Sequence, residues 1–143
     1  NEPHMPLKAY KNMNAYKLFV LDVGLLGAMS ELPAESILEG NDIFVEFKGA
    51  LTEQYVLQQL ISDTPYTPYY YGNEKATFEQ DFLIQKAKSI VPIEVKAEQN
   101  IRSHSLKTYC EKFQPEEAVR FSTLKYKEQE WMVNIPLYAV CNL

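Results

Sequence analysis

Cysteine, histidine and runs of positive charge are what this chain has least of. Two of its 143 residues are cysteine, Cys110 and Cys141, and two are histidine, His4 and His104. Neither histidine has a second His or Cys at ligand spacing, which excludes a zinc cluster and leaves solvated or capping roles. Two distant cysteines do not make a disulfide scaffold, and no base sits beside either thiol in sequence. Their expected use is as buried apolar side chains in a reducing cytoplasm. No signal peptide or long apolar run is present, so no membrane span is expected. The formal net charge is -5. Gripping a phosphate backbone by charge alone needs clustered Lys and Arg, so any nucleic-acid binding would need a metal or a partner. There is no GxxxxGK[ST] phosphate loop, and a nucleotide site would have to lie elsewhere. The chain opens NEPHMPLKAY without an initiator Met, so a longer parent protein is expected.

What is abundant is apolar and aromatic surface. Hydrophobic residues make up 46% and charged residues 23%, with ten tyrosines and seven phenylalanines, the composition of one ordered domain with a real core. Residues 1–15 read as an extended linker anchored by Pro6, Leu7 and Tyr10, with the domain over 16–143. YKLFVLDVGLL reads as a short apolar strand running into a helix capped by Asp22, and Gly24 and Gly27 suggest close packing. The spacing of Phe44, Phe47, Leu51, Tyr55 and Leu60 predicts a helix over about Asp42 to Ile61, with Asn41 or Asp42 as cap. Glu46 and Glu53 share one face of it, and Gly49 would let that face approach another element. After SDTPYTP, the stretches YYYG, TFEQDFLIQ and IVPIEVKA predict a three-strand meander. Pro92 cannot donate to a ladder, so the third strand is expected to begin or bulge there. SHSLKTYCEKF predicts a helix capped by Ser103, AVRFSTL a strand, and WMVNIPLYAV a tail that packs back on the core. Tyr66 to Tyr71 suits packing against a helix, with base stacking as the sharper alternative. Ser103 and Ser105 beside Arg102 suit a plain cap, with phosphate contact as theirs.

The chemistry gathers in EQDFLIQKAKSIVPIEVKAE. Strand alternation puts Glu94 and Lys96 on one face, and puts Glu79 and Asp81 together on the preceding strand. An antiparallel hairpin brings the two strands side by side, so Asp81, Glu94 and Lys96 can converge. Two carboxylates with the Val95 carbonyl make an oxygen-rich site for Mg²⁺ or Mn²⁺, and Glu53 on the preceding helix is a fourth candidate ligand. Lys96 would orient water or stabilise charge on a phosphodiester. The plainer alternative is a same-face ion pair of Glu94 with Lys96, worth under about 1 kcal/mol.

The pattern D-x(12)-E-V-K on consecutive strands, in the order αβββαβ, resembles the PD-(D/E)XK nuclease superfamily, the restriction-endonuclease-like fold. The blocks PLKAY, YKLFVLDVGLL, GALTEQYVLQQL, EQDFLIQ, VPIEVKAEQNIRSHSLKTY, RFS and NIPLYAV, taken in order, look like the domain of unknown function at the C-terminal end of many bacterial and archaeal AAA-type ATPases. That resemblance covers about Pro6 to Val140. It implies an α/β domain with a central mixed β-sheet flanked by helices, preceded by a P-loop ATPase module and a winged-helix segment. It also implies Asp81 and Glu94 as metal ligands, Lys96 as the catalytic lysine and Glu53 as the helix carboxylate. Glu79 matches an acidic position of the family. Gln80 stands where the family usually has an apolar residue, and YYYG stands for Tyr-Trp-Arg, which removes a basic group near the substrate surface. The implied function is Mg²⁺- or Mn²⁺-dependent hydrolysis of DNA or RNA. The alternative is a catalytically inactive module that docks the ATPase or another protein.

Overall fold

The apolar runs of QDFLIQK and SIVPIEVK form the central hairpin. β2 (Gln80–Lys86) and β3 (Ser89–Lys96) pair antiparallel, with Phe82 opposite Ile93 and Ile84 opposite Val91. The structure is a computed structural model; it describes residues 2–39, 42–72, 78–97 and 103–143, without the side chains of 37–46. β1 (Tyr69–Tyr71) pairs antiparallel with β2, completing the meander expected from the sequence. On the other side β4 (Val119–Ser122) runs parallel to β3, and β6 (Val133–Pro136) parallel to β4. A short β5 (Lys127–Glu128) closes the six-stranded mixed sheet, whose order is β1-β2-β3-β4-β6-β5. A hairpin turn can join antiparallel strands, but parallel β3 and β4 need a crossover, which α5 (His104–Phe113) supplies.

Each face of the sheet carries one helix. α4 (Asp42–Asp63) lays Val56 and Leu60 against Phe82, Ile84, Val91, Ile93, Val119 and Phe121. Val140, from the 3₁₀ turn Leu137–Asn142, closes that cluster. On the opposite face Tyr109 of α5 meets Leu7, Tyr71 and Leu83, while Leu106 meets Ala118 and Met132. Burying each such side chain stabilises the fold by about 1.5–3 kcal/mol. Tyr71 packs edge-on against Tyr109 and Phe113, so this tyrosine of the YYYG strand serves packing.

Several expectations need correction. Pro92 sits inside β3 opposite Leu83, and β3 begins earlier, at Ser89. The N–H of Val95 points to the β2 side, so Pro92, of opposite parity, directs its missing donor toward β4. The β4 register opens only opposite Ile93, so no ladder bond is lost. YKLFVLD forms no strand: residues 15–20 are irregular. Asp22 does cap α2 (Val23–Met29), accepting from the Leu25 N–H at 2.8 Å. A Cβ on Gly27 or Gly49 would meet nothing within 4 Å, so neither glycine marks close packing. Ser103 gives α5 no side-chain cap. Cys110 is half-buried but Cys141 is exposed, and both are free thiols. WMVNIPLYAV yields the inner strand β6, not only a tail, and α1 (Leu7–Tyr10) and α3 (Ala34–Glu39) were not anticipated. The expected Asn41 cap and Arg102 phosphate contact lie outside the described residues, as do the side chains of Phe44 and Glu46. No helix among the described residues is long and apolar enough to cross a membrane.

The irregular N-terminal segment is fastened by side chains of α4. Gln54, 2% exposed, accepts from the Val20 N–H at 3.1 Å and donates to the Val20 carbonyl at 2.9 Å. One amide thus replaces a strand neighbour for Val20. Gln58 accepts from the Val23 N–H at 3.1 Å. Replacing Gln54 by Leu removes both bonds and leaves two backbone groups to be satisfied elsewhere. Gln54→Leu is expected to lower unfolding stability by about 1–3 kcal/mol in urea titrations and to speed exchange of the Val20 amide hydrogen. An unchanged exchange rate at Val20 would contradict the clamp.

Candidate functional site

The candidate site lies where β2 and β3 part. Asp81 Oδ2 accepts the Val95 N–H at 2.8 Å, and Gln80 Nε2 donates to the Ile93 carbonyl at 2.6 Å. Two side chains therefore finish a ladder that two backbones began. Because one strand residue directs its N–H and C=O to the same neighbour, the Val95 carbonyl faces the side from which Asp81 approaches.

On β3, Glu94 and Lys96 share a face as alternation requires. Lys96 Nζ lies 3.0 Å from Glu94 Oε1, the same-face pair considered above. Glu94 is 3% exposed, and its Oε2 has no hydrogen-bond partner among the described residues. Stranding a buried carboxylate oxygen is costly, so this atom needs a cation or another donor. Beside Glu94 in the register stand Arg120 of β4 and Asn134 of β6. Arg120 is buried and donates through Nε to Asn134 Oδ1 at 2.8 Å and through Nη1 to Ser103 Oγ at 3.2 Å. Burial lowers its guanidinium pKa from the usual value, and the charge of Glu94 opposes that shift. Ser103 is thus a partner of Arg120 instead of a helix cap. Asn134 also accepts from Ser122 Oγ at 2.7 Å, so the polar row under Glu94 is tightly bonded.

Glu53 reaches the site from α4. Its Oε1 lies 2.8 Å from Lys17 Nζ, and Lys17 also lies 5.6 Å from the centre of the Tyr70 ring. Burial raises the Asp81 carboxyl, with Glu53 and Glu94 adding and the Val95 hydrogen bond and Lys17 opposing, to a pKa of about 6 in all. Glu53 and Glu94 therefore each lie within electrostatic reach of Asp81. Among the described residues, no group of three or more His, Cys, Asp and Glu side chains is close enough to hold a metal ion. The oxygen donors that could serve a hard divalent cation are a smaller set: Asp81, the unpartnered Oε2 of Glu94 and the Val95 carbonyl. The structure sets Asp81, Glu94, Val95 and Lys96 together, whereas Glu53 is engaged by Lys17. Glu79 is exposed, with its side chain against Gly72. Cys110 is not an activated thiol: burial, with Glu111 and Glu94 adding, pushes it up to about 11.

Lys17, Gln54 and Arg120 escaped sequence reasoning. Lys17 stands within an expected strand with nothing to show which carboxylate it would meet. Arg120 read as one member of an alternating strand, and the alternation held no hint of its burial. An open groove of about 1420 Å³ runs between the N-terminal segment and β1, lined by Tyr10, Tyr16, Lys17, Phe19, Tyr70 and Glu79 among others. Asp81, Glu94 and Lys96 are not in that lining, and Lys17 is the residue that joins groove to site.

Fold and site together define a mixed α/β domain with an acidic, lysine-bearing hairpin end. The chain belongs to the family described as Domain of unknown function (DUF4143), whose model matches residues 48–139. No curated protein and no solved structure matches the chain.

The raised pKa of Asp81 has a definite consequence for stability. The folded state holds the proton up to about pH 6, whereas the unfolded chain releases it near 3.8. Stability therefore falls as pH rises through that window, and the ionised carboxylate costs about 2–3 kcal/mol at neutral pH. Asp81→Asn keeps an oxygen for the Val95 N–H and removes the charge. It is expected to stabilise the fold by about 1–2 kcal/mol at pH 7 and hardly at all at pH 4, read by urea unfolding at both. Equal effects at the two pH values would contradict this account.

Proposed function

We propose that this chain is a PD-(D/E)XK-like domain that hydrolyses phosphodiester bonds of nucleic acid with Mg²⁺ or Mn²⁺, and that it serves as the C-terminal domain of an AAA-type ATPase. The observation that carries this reading is the hairpin end itself, where Asp81 reaches Val95 across the gap beside a buried Glu94 oxygen without a donor. The order α4, β1, β2, β3, α5, β4 supports this reading, because it is the αβββαβ order that the resemblance implies. Asp81, Glu94 and the Val95 carbonyl would hold the metal, which when bound lowers the pKa of its water and offsets phosphate charge. Arg120 stands beside Glu94 in the register and supplies a neighbouring positive charge. Lys96, on the rim of the site with its side chain about a third exposed, is placed to donate to a phosphate oxygen or to the attacking water. With a net charge of -5, the protein does not attract nucleic acid by its overall field, so recognition rests on the metal and on the coupled ATPase.

A second reading is an interaction module that keeps the fold without the chemistry. The ion pairs Lys17–Glu53 and Lys96–Glu94 favour it, because they already neutralise two of the three carboxylates. An assay with Mn²⁺ and labelled single- and double-stranded DNA and RNA separates the two. The expected result is cleavage of at least one substrate, falling roughly 10²-fold or more in Lys96→Ala and in Asp81→Ala, with circular dichroism showing both variants folded. No cleavage by the folded wild type on any substrate would favour the docking module.

A further inference from the structure

The site is balanced before any metal enters. Glu53, Asp81 and Glu94 supply three carboxylates, and Lys17, Lys96 and Arg120 stand near them as three cations. A divalent cation joining this group raises the local positive charge, so its binding is favoured if one resident cation can leave. Lys96 and Arg120 are set in β3 and β4, inside the sheet. Lys17 sits in the irregular segment 15–20.

We infer that Lys17 is a built-in counter-cation that holds Glu53 out of the metal's coordination, so that the position of the N-terminal segment sets the affinity of the site for divalent metal. This inference rests on the metal-site reading above. Its geometric basis is the 2.8 Å contact of Lys17 Nζ with Glu53 Oε1, both side chains 27% exposed. Such a pair is open enough to exchange partners. The segment is held at three neighbouring points: Lys17 on Glu53, the Phe19 ring 6.1 Å from that of Phe82, and Val20 in the Gln54 clamp. Between and beside these inward contacts, Tyr16, Leu18 and Leu21 are 71%, 86% and 84% exposed. The segment thus grips the site with one set of residues and offers large apolar side chains outward with the other.

When Lys17 withdraws, Glu53 gains a free carboxylate oxygen within electrostatic reach of Asp81. The donor set then becomes Asp81, Glu94, Val95 and Glu53, which is richer in charge and suits a hard cation better. With Lys17 in place, Glu53 contributes little to metal binding. The two residues are therefore coupled, and a double-mutant cycle reads the coupling.

The experiment is a calorimetric Mn²⁺ titration of the wild-type protein, Lys17→Met, Lys17→Gln, Glu53→Gln and Lys17→Met with Glu53→Gln, each verified as folded by circular dichroism. Both neutral Lys17 variants are expected to bind Mn²⁺ roughly fivefold more tightly than wild type, the size of effect one partly exposed ion pair provides. Glu53→Gln alone is expected to change affinity less than twofold, and to abolish the gain when combined with Lys17→Met. The two neutral variants guard against a local fault of either one. Unchanged affinity in both, beside a wild type that binds, overturns the inference and leaves the metal site standing. A gain that survives loss of the Glu53 carboxylate also overturns it, since a general field effect would then account for the change. No Mn²⁺ binding by any of the five proteins overturns the metal-site reading and this inference with it.

Discussion

The amide hydrogen of Val95 is received by a carboxylate where a regular hairpin would supply a backbone carbonyl. Much of the site follows from that substitution. β2 no longer has to track β3 backbone to backbone beyond Phe82 and Ile93, so the strands part at the level of Asp81 and a gap forms between them. The Asp81 side chain is pinned across the gap by the bond it accepts, and Val95 is spared an unsatisfied donor that would cost about 1–3 kcal/mol. β3 continues beside β4, which carries Glu94 and Lys96 forward in register with Arg120 and Ser122. The gap is thus bounded by charged side chains at the end of an apolar hairpin.

Placing carboxylates so near one another destabilises the fold, and the surrounding elements answer with cations from three separate positions: the N-terminal segment, β3 and β4. None of these groups belongs to the main apolar core of Val56, Leu60, Phe82, Ile84, Val91, Ile93, Val119, Phe121 and Val140. Charged and polar groups retained against stability, where a ladder is broken, mark this end of the hairpin as the candidate site. The raised pKa of Asp81 is the same conflict expressed as proton affinity.

Much of this was legible in the sequence. The alternation of QDFLIQK and SIVPIEVK, with a short turn between, required an antiparallel hairpin, and two-residue periodicity then placed Asp81, Glu94 and Lys96 at one end of it. The helical spacing of Phe47, Leu51, Tyr55 and Leu60 likewise marked α4. What escaped depended on contacts between segments far apart in the chain. The apolar run at Tyr16 to Leu21 looked like a strand, but at Val20 its backbone is satisfied by the Gln54 side chain, a pairing that no local pattern announces. Pro92 seemed to forbid a strand interior, because the side on which its absent N–H would matter is fixed only by where β4 begins. Glu53 was placed near the site from its helical position, yet its partnership with Lys17 spans 36 residues and had no signature in the spacing.

The central claim is that the parted end of the hairpin holds a divalent cation between Asp81 and Glu94. Its most direct test is a crystal of the protein grown with Mn²⁺ at neutral pH and measured for the anomalous signal of manganese. The account predicts one strong peak at coordination distance from Asp81, Glu94 Oε2 and the Val95 carbonyl. Well-ordered Asp81 and Glu94 side chains with no manganese peak between them would contradict it.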